Sequence, residues 1–234
     1  MAEYRSTGTL PTTVILTSIF KPLLLLVLLS LTISASSADV SVIAQAVDAR
    51  YNHLRSLQAE FTEVYRGPGI ERIESGTLWL KKPGKMRWEY RSPREKLFLS
   101  DGKNAWFYLP ADRQAWQTPV RKLDDLRSPL GFLLGKTKLQ KELQGLSLAP
   151  DAVPSMPGNI VLRGVPNRIA DRVNQVMLEI TPADQIARII LEEQDGSVTE
   201  YVFKDPKENV EIAEDRFRFV RPAGVEVIEG EFGQ

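Results

Sequence analysis

Residues 76–90 read Gly76-Thr77-Leu78-Trp79-Leu80-Lys81-Lys82-Pro83-Gly84-Lys85-Met86-Arg87-Trp88-Glu89-Tyr90. Leu78 and Leu80 stand two apart before the turn signal Lys82-Pro83-Gly84, and Met86, Trp88 and Tyr90 stand two apart after it. Side chains alternate between the faces of a strand, so each arm reads as a strand with one apolar side. Lys85, Arg87 and Glu89 fall on the other side, which segregates the cations from the aromatics and argues against a single-strand nucleic-acid platform. The basic row reads as a wet outer face, open to an anionic partner or lipid surface.

The same period runs outward from this hairpin. Short aromatic and branched segments are separated by Gly67-Pro68-Gly69, Ser92-Pro93, Asp101-Gly102 and Pro110-Ala111-Asp112, the pattern of an antiparallel meander. Asp101-Gly102 reads as the centre of a type I′ turn, which pairs residues 96–100 with 104–109. Before the meander, Val40, Ile43, Val47, Tyr51 and Leu54 recur at three- and four-residue steps and predict an amphipathic helix ending near Leu57. After it, Leu123, Leu126, Leu130, Leu133 and Leu134 around Pro129 predict two short helices within 120–136, followed by a loop over 145–158. Strand patterns return at 159–163, 172–181, 185–194 and 197–204, with Asp195-Gly196 as a second hairpin turn, and Phe217, Phe219 and residues 225–228 read as final strands. The expectation is one mainly β domain of the α+β class, residues 39–234, with ten or eleven strands and about three helices.

Arg5 and Lys21 precede an apolar run from Leu23 to Ile33 and then small residues from Ser34 to Ala38, the order of an export leader. Eleven apolar residues make about 16 Å of helix, short of the ~20 residues that a membrane span needs. Cleavage after Ala38 is expected, which makes residues 1–38 a signal peptide and the mature chain exported. The alternative is an uncleaved anchor, in which Val14 to Phe20 extends the run and Lys21 snorkels.

Composition removes several chemistries. The 234 residues carry 30 Lys plus Arg against 30 Asp plus Glu, so the basic excess that nucleic-acid binding requires is missing. No cysteine is present, which excludes thiol catalysis, cysteine zinc sites and acylation of an N-terminal cysteine. A single histidine, His53, excludes a multi-histidine metal site and leaves a hydrolase triad without support, and no Gly-x-Ser-x-Gly elbow occurs. Gly131 and Gly135 before Lys136-Thr137 are one residue too close for a phosphate loop. Acidic pairs such as Asp124-Asp125 and Glu192-Glu193 read as solvated surface, since neighbours on a strand face opposite ways. No enzyme activity, cofactor or metal is expected.

The apolar side of the meander is the informative one. Leu78, Leu80, Met86, Trp88, Leu97, Leu99 and Phe107 give successive strands one greasy face, with Ala105 and Leu109 beside them. Such a face either takes the helices as ordinary core or lines a cavity, and both readings stand at this point.

The stretch 76–90, with Pro93, Ser100-Asp101-Gly102-Lys103, Trp106-Phe107-Tyr108, Ser128-Pro129-Leu130, Leu133-Leu134, Asp195-Gly196 and the terminal Phe217 to Val225, resembles the periplasmic outer-membrane lipoprotein carrier family, LolA, in order along nearly the whole mature chain. The resemblance implies an incomplete, curved antiparallel barrel closed by helices over an apolar cavity for lipoprotein acyl chains. It also implies a monomeric carrier, whose partners are acylated lipoproteins, an inner-membrane ATP-driven releasing complex and an outer-membrane acceptor. The acceptor of that family is itself a lipoprotein, and a chain without cysteine fits the carrier instead. By the same resemblance Lys82 stands where known carriers have an arginine thought to bias the lid closed, and Leu123, Leu126, Leu130 and Leu133 belong to that lid. Lysine lacks the planar donor fork of arginine. Met86 stands where an aromatic residue often occurs. A carrier-like module that senses lipid or lipoprotein in envelope regulation is the alternative.

Overall fold

The computed structural model describes residues 36–122, 133 and 138–230. Helix α1 (Ser36–His53) leads into the long hairpin β1 (Ser56–Gly67) and β2 (Ile70–Lys81), and the meander goes on through β3 (Lys85–Ser92), β4 (Lys96–Asp101), β5 (Asn104–Leu109) and β6 (Gln114–Pro119). After a 3₁₀ turn at Val120–Lys122 come a short helix α2 (Leu139–Glu142), then β7 (Leu143–Leu148), β8 (Ile160–Pro166), β9 (Val173–Ile180), β10 (Ile186–Glu193) and β11 (Val198–Glu208), a second 3₁₀ turn at Glu214–Phe217, and β12 (Glu226–Glu229). All twelve strands form one curved sheet in the order β12-β6-β5-β4-β3-β2-β1-β11-β10-β9-β8-β7.

The sheet is open: β12 and β7 are its two edges, so the sheet does not close on itself. It holds twelve strands where ten or eleven were expected, and α1 and α2 are the α-helices longer than one residue among the described residues. Leu123, Leu126 and Leu130, with most of the segment expected to form lid helices, lie outside the described residues. Every pairing is antiparallel except that of β12 on β6, which is parallel.

Several boundaries differ from the local reading, each because a distant partner decides. The helix stops at His53 and not near Leu57, because Leu57 is already in register with Leu80 and Glu208. Asn209 Oδ1 accepts the Arg55 N–H at 2.9 Å, and Ser56 donates to the Val210 carbonyl, so the chain is drawn into the sheet. At the β4–β5 turn Gly102 takes positive φ (94°) while Asp101 does not, so the turn is not type I′. The Asp101 carboxylate instead accepts the N–H groups of Lys103 and Asn104, both at 2.7 Å. Strand β7 occupies part of the stretch read as loop, where a register shift between Gln144 and Ser147 breaks the alternation.

The faces are set by register. Leu80 lies opposite Met86 and Leu78 opposite Trp88, and the next pairings bring Phe98 opposite Trp88 and Ser100 opposite Met86. The inner face therefore takes Phe98 from β4, while Leu97 and Leu99 pair with Glu89 and Arg87 and belong to the outer face. The expectation that Leu97 and Leu99 join the cavity wall is corrected. Leu97-Phe98-Leu99 is apolar throughout, and only the register across β3 sets its parity. Inside the sheet, Val40, Ala44, Val47, Tyr51 and Leu54 are buried in one core with Phe61, Leu78, Leu80, Met86, Trp88, Leu133, Leu162, Leu178 and Ile189.

The segment after β11 runs across the outer face as a strap. Phe217 and Phe219 are not strands: Phe217 closes the 3₁₀ turn and is buried, and Phe219 stacks on Trp106 at 5.8 Å and meets Tyr108 edge-on at 5.9 Å. Arg216 lies over the Trp79 ring at 4.7 Å, and Lys81 donates to the Ile212 carbonyl at 2.7 Å. Four cations of the basic row, Lys81, Lys85, Arg87 and Arg91, are paired with carboxylates, while Arg94 is exposed. Lys81 and Lys85 both bind Glu214, whose carboxyl these two ammonium groups hold down to about 2, Arg87 pairs with Glu89, and Arg91 with Glu60.

If the strap is part of the packed structure, Phe217→Ala lowers stability by about 3–5 kcal/mol, as for other buried phenylalanines. Phe219→Ala, at a half-buried position, costs less. Urea denaturation midpoints of the two variants measure the difference.

Candidate functional site

The inner face has an aromatic centre. Phe61 packs on Trp88 with ring centroids 4.7 Å apart and on Tyr90 edge-to-face at 4.8 Å, and Tyr201 and Phe203 approach Trp88 at 5.7 and 6.2 Å. These rings come from β1, β3 and β11, neighbours through β2 and β1 in the sheet, and their geometry is the offset and edge-on packing that ring quadrupoles favour. Leu78, Leu80 and Met86 continue the wall toward the turn at Lys82-Pro83.

Among the described residues that wall packs against α1 as core. A cleft lined by Leu54, Leu57, Leu80, Leu133, Arg55, Ser56 and Lys82 opens beside it to solvent.

Among the described residues, several polar contacts hold helix α1. The Tyr51 hydroxyl accepts the Ile186 N–H at 2.9 Å in a buried position, and burial pushes this phenol up to about 12, so it stays protonated. Asp48 accepts the Leu139 N–H at 3.0 and 3.2 Å, and Arg50 binds Glu208 at 2.7 Å and the Ala183 carbonyl at 2.9 Å. Lys82 Nζ donates to the carbonyls of Tyr51 (2.5 Å) and Asn52 (3.1 Å). Those carbonyls belong to the last turn, where a helix leaves acceptors unpaired and its dipole is negative, so a cation is well placed there.

Beyond the aromatic centre the inner face turns polar. Glu63 and Glu74 lie directly opposite each other on β1 and β2, and both are buried. Tyr90 donates to Glu63 at 2.6 Å, while Lys96 at 2.5 Å and Arg72 at 3.1 Å compensate Glu74. Burial, followed by the Glu63 charge, holds the Tyr90 phenol well above its usual range.

Of the residues singled out in the sequence, Leu78, Leu80, Met86, Trp88 and Leu133 come together in the core with α1. Phe107 shares the inner face, opposite Phe98 and Trp116, but is half-buried and stands apart from that cluster. Lys82 reaches α1, and Leu97 and Leu99 lie outside. His53 is exposed, with Nδ1 at 2.6 Å from the Ala49 carbonyl of its own helix. Among the described residues no three His, Cys, Asp or Glu side chains cluster as metal ligands. Local reading missed Asp48, Glu63 and Tyr201. Each acts through a residue far away in sequence, and periodicity carries no signal for that.

Comparison with known proteins gives one consistent family. A family model described as outer membrane lipoprotein carrier protein LolA matches residues 52–220. An outer-membrane lipoprotein carrier protein of Nitrosospira multiformis is 30% identical over 179 residues, covering 74% of this chain and 82% of that protein. One of the same name from Nitrosomonas europaea is 26% identical over 207 residues, covering 85% of this chain and 96% of its own length. Among solved structures, an uncharacterized conserved protein from Thermus thermophilus superposes with a TM-score of 0.52 at 16% identity, over 82% of this chain and 99% of that one, and shows a shared fold.

The Asp48 clamp has a testable sign. Burial raises this carboxyl above its ordinary 3.8 despite the Leu139 N–H and the Lys138 charge that oppose the rise. An acid whose pKa is raised on folding destabilises the folded state at pH above its folded value, and this cost disappears as pH falls through that value. Asp48→Asn keeps an acceptor for Leu139 without the charge, so it raises the thermal midpoint at about pH 7, and the advantage over wild type shrinks as the pH is lowered through the carboxylate range. Thermal unfolding across that pH range measures it.

Proposed function

Because the chain belongs to the outer membrane lipoprotein carrier family LolA, we propose that it is a periplasmic carrier, not an enzyme, which binds the acyl chains of lipoproteins. In this reading residues 1–38 are an export leader that is removed, and residues 39–234 form the working domain as a monomer. Cargo comes from an ATP-driven releasing complex in the inner membrane and goes to an acceptor at the outer membrane. The observation that carries the proposal is an apolar inner face, Leu78, Leu80, Met86 and Trp88, covered by a helix held through a handful of polar contacts.

The energetics fit such a task. Burial of each methylene is worth ~0.8 kcal/mol, so two or three long acyl chains together hold a lipoprotein in a bilayer too strongly for it to cross water unaided, whereas a single chain binds only reversibly. A carrier must offer equivalent apolar surface and then withdraw it. Here α1 covers that surface. Lifting it costs its hydrogen bonds, about 0.5–1.5 kcal/mol net each, and the apolar burial of Val40, Ala44, Val47, Tyr51 and Leu54, which acyl chains laid on the same wall replace. As α1 returns, Val40, Ala44, Val47 and Leu54 compete with the chain for the same wall, which favours release.

Lys82 is the latch of this closed state. It bonds the last carbonyls of α1, contacts that exist only while the helix is docked. Removing a contact made only in the empty form raises the affinity for cargo. Lys82→Leu purified from a periplasm therefore retains more acylated protein than wild type does, and native mass spectrometry reads the bound mass directly. Wild type and variant both free of any acylated protein or lipid would overturn the carrier reading.

A further inference from the structure

Trp88 occupies the middle of the aromatic centre and is 2% exposed, yet its indole Nε1 has no hydrogen-bond partner among the described residues. Buried donors are nearly always paired, because stripping water from an N–H without replacing it is costly. Its described neighbours provide no oxygen or nitrogen acceptor in hydrogen-bonding position. Phe61, Tyr201 and Phe203 present rings, and the cross-strand partners are Leu78 and Phe98. A ring is a weak substitute for a carbonyl. The other unsatisfied buried atoms among the described residues have charged company: Arg188 Nε and Glu179 Oε2 face each other at 2.7 Å, Arg163 Nε is part of a guanidinium paired with Asp151, and the Ser197 hydroxyl lies beside the Asp195 carboxylate.

The position of this donor along β3 is informative. Met86, two residues before it, belongs to the apolar wall with Leu78 and Leu80, where the Ser100 hydroxyl across the strand is neutral and bonds the Gly84 carbonyl. Tyr90, two residues after it, opens the polar group with Glu63 and Lys96. Trp88 thus stands where the inner face changes from apolar to polar. An acylated molecule has the same order of groups, an alkyl tail, a carbonyl and a polar head, and its ester carbonyl accepts hydrogen bonds but donates none.

We propose that Trp88 Nε1 is the donor for the ester carbonyl at the head of a bound acyl chain, exposed to it when α1 lifts from the wall. The inference rests on the carrier reading and adds to it a preference for ester-linked over ether-linked lipid.

The test uses the mature protein, a medium-chain diacyl phosphatidylglycerol and its di-ether analogue of equal chain length. Indole N–H signals are followed by two-dimensional proton–nitrogen NMR, with Trp88→Phe identifying the resonance. The expected result is a downfield shift of the Trp88 indole proton with the ester lipid alone, and about tenfold tighter binding of the ester. Trp88→Phe should bind both lipids alike, at the affinity of the ether. Equal binding of the two lipids by wild type with no ester-specific shift overturns the ester assignment and leaves the carrier reading intact. Binding of neither lipid overturns the carrier reading and the assignment with it. If Trp88→Phe fails to fold, the ester-to-ether ratio of wild type decides alone.

Discussion

The contact between the inner face of the sheet and the stripe Val40, Ala44, Val47, Tyr51 and Leu54 governs the rest of the structure. A sheet with one apolar face must cover it, and among the described residues helix α1, with Leu133 and Leu139, does so with side chains of β1 to β3 and β7 to β10 around it. The curvature of the sheet and the long β1–β2 hairpin serve that enclosure. The outer face has its own smaller cover, the strap that sets Phe219 on Trp106 and Arg216 on Trp79. Two covers of different kinds result. One is a helix held by scattered hydrogen bonds, the other a segment bound by stacked rings and by Glu214 between two lysines.

Charge follows the same division. On the outer face Lys81, Lys85, Arg87 and Arg91 each find a carboxylate at close range, so balanced composition becomes local pairing of charges. The inner face admits charge at one place, where Glu63 and Glu74 oppose each other and need Tyr90, Lys96 and Arg72 to be tolerable. Such a cluster is rigid, because loss of any member leaves a buried carboxylate uncompensated.

Much of this was legible in the sequence, and the boundary of legibility has a physical cause. Strands with clean alternation, the turn signals at Gly102 and Gly196, and the amphipathic start at Val40 are local properties, and local patterning locates them well. Leu78, Leu80, Met86 and Trp88 were placed on one face for the same reason. Local patterning puts Leu97 and Leu99 on that face too, and the register overturns it, because three apolar residues in succession carry no parity of their own. The end of α1, the strand at Leu143–Leu148 and the path of Phe217 and Phe219 depend on Asn209, on a bulge and on Trp106, all remote in sequence. The clamps on α1 and the unpaired indole of Trp88 are relations between distant residues, and neither composition nor spacing records them.

An open sheet has two edges, and each carries a row of unpaired backbone groups that another copy can extend. Here β12 is four residues long and begins and ends in glutamate, while β7 is interrupted by a bulge with Gly145 at positive φ. Short, charged or kinked edges are poor templates for strand addition. On the proposed carrier reading the interior is uncovered at each delivery, a moment when flat edges would invite polymerisation, and two blunted margins of this kind oppose the linking of copies into a fibre.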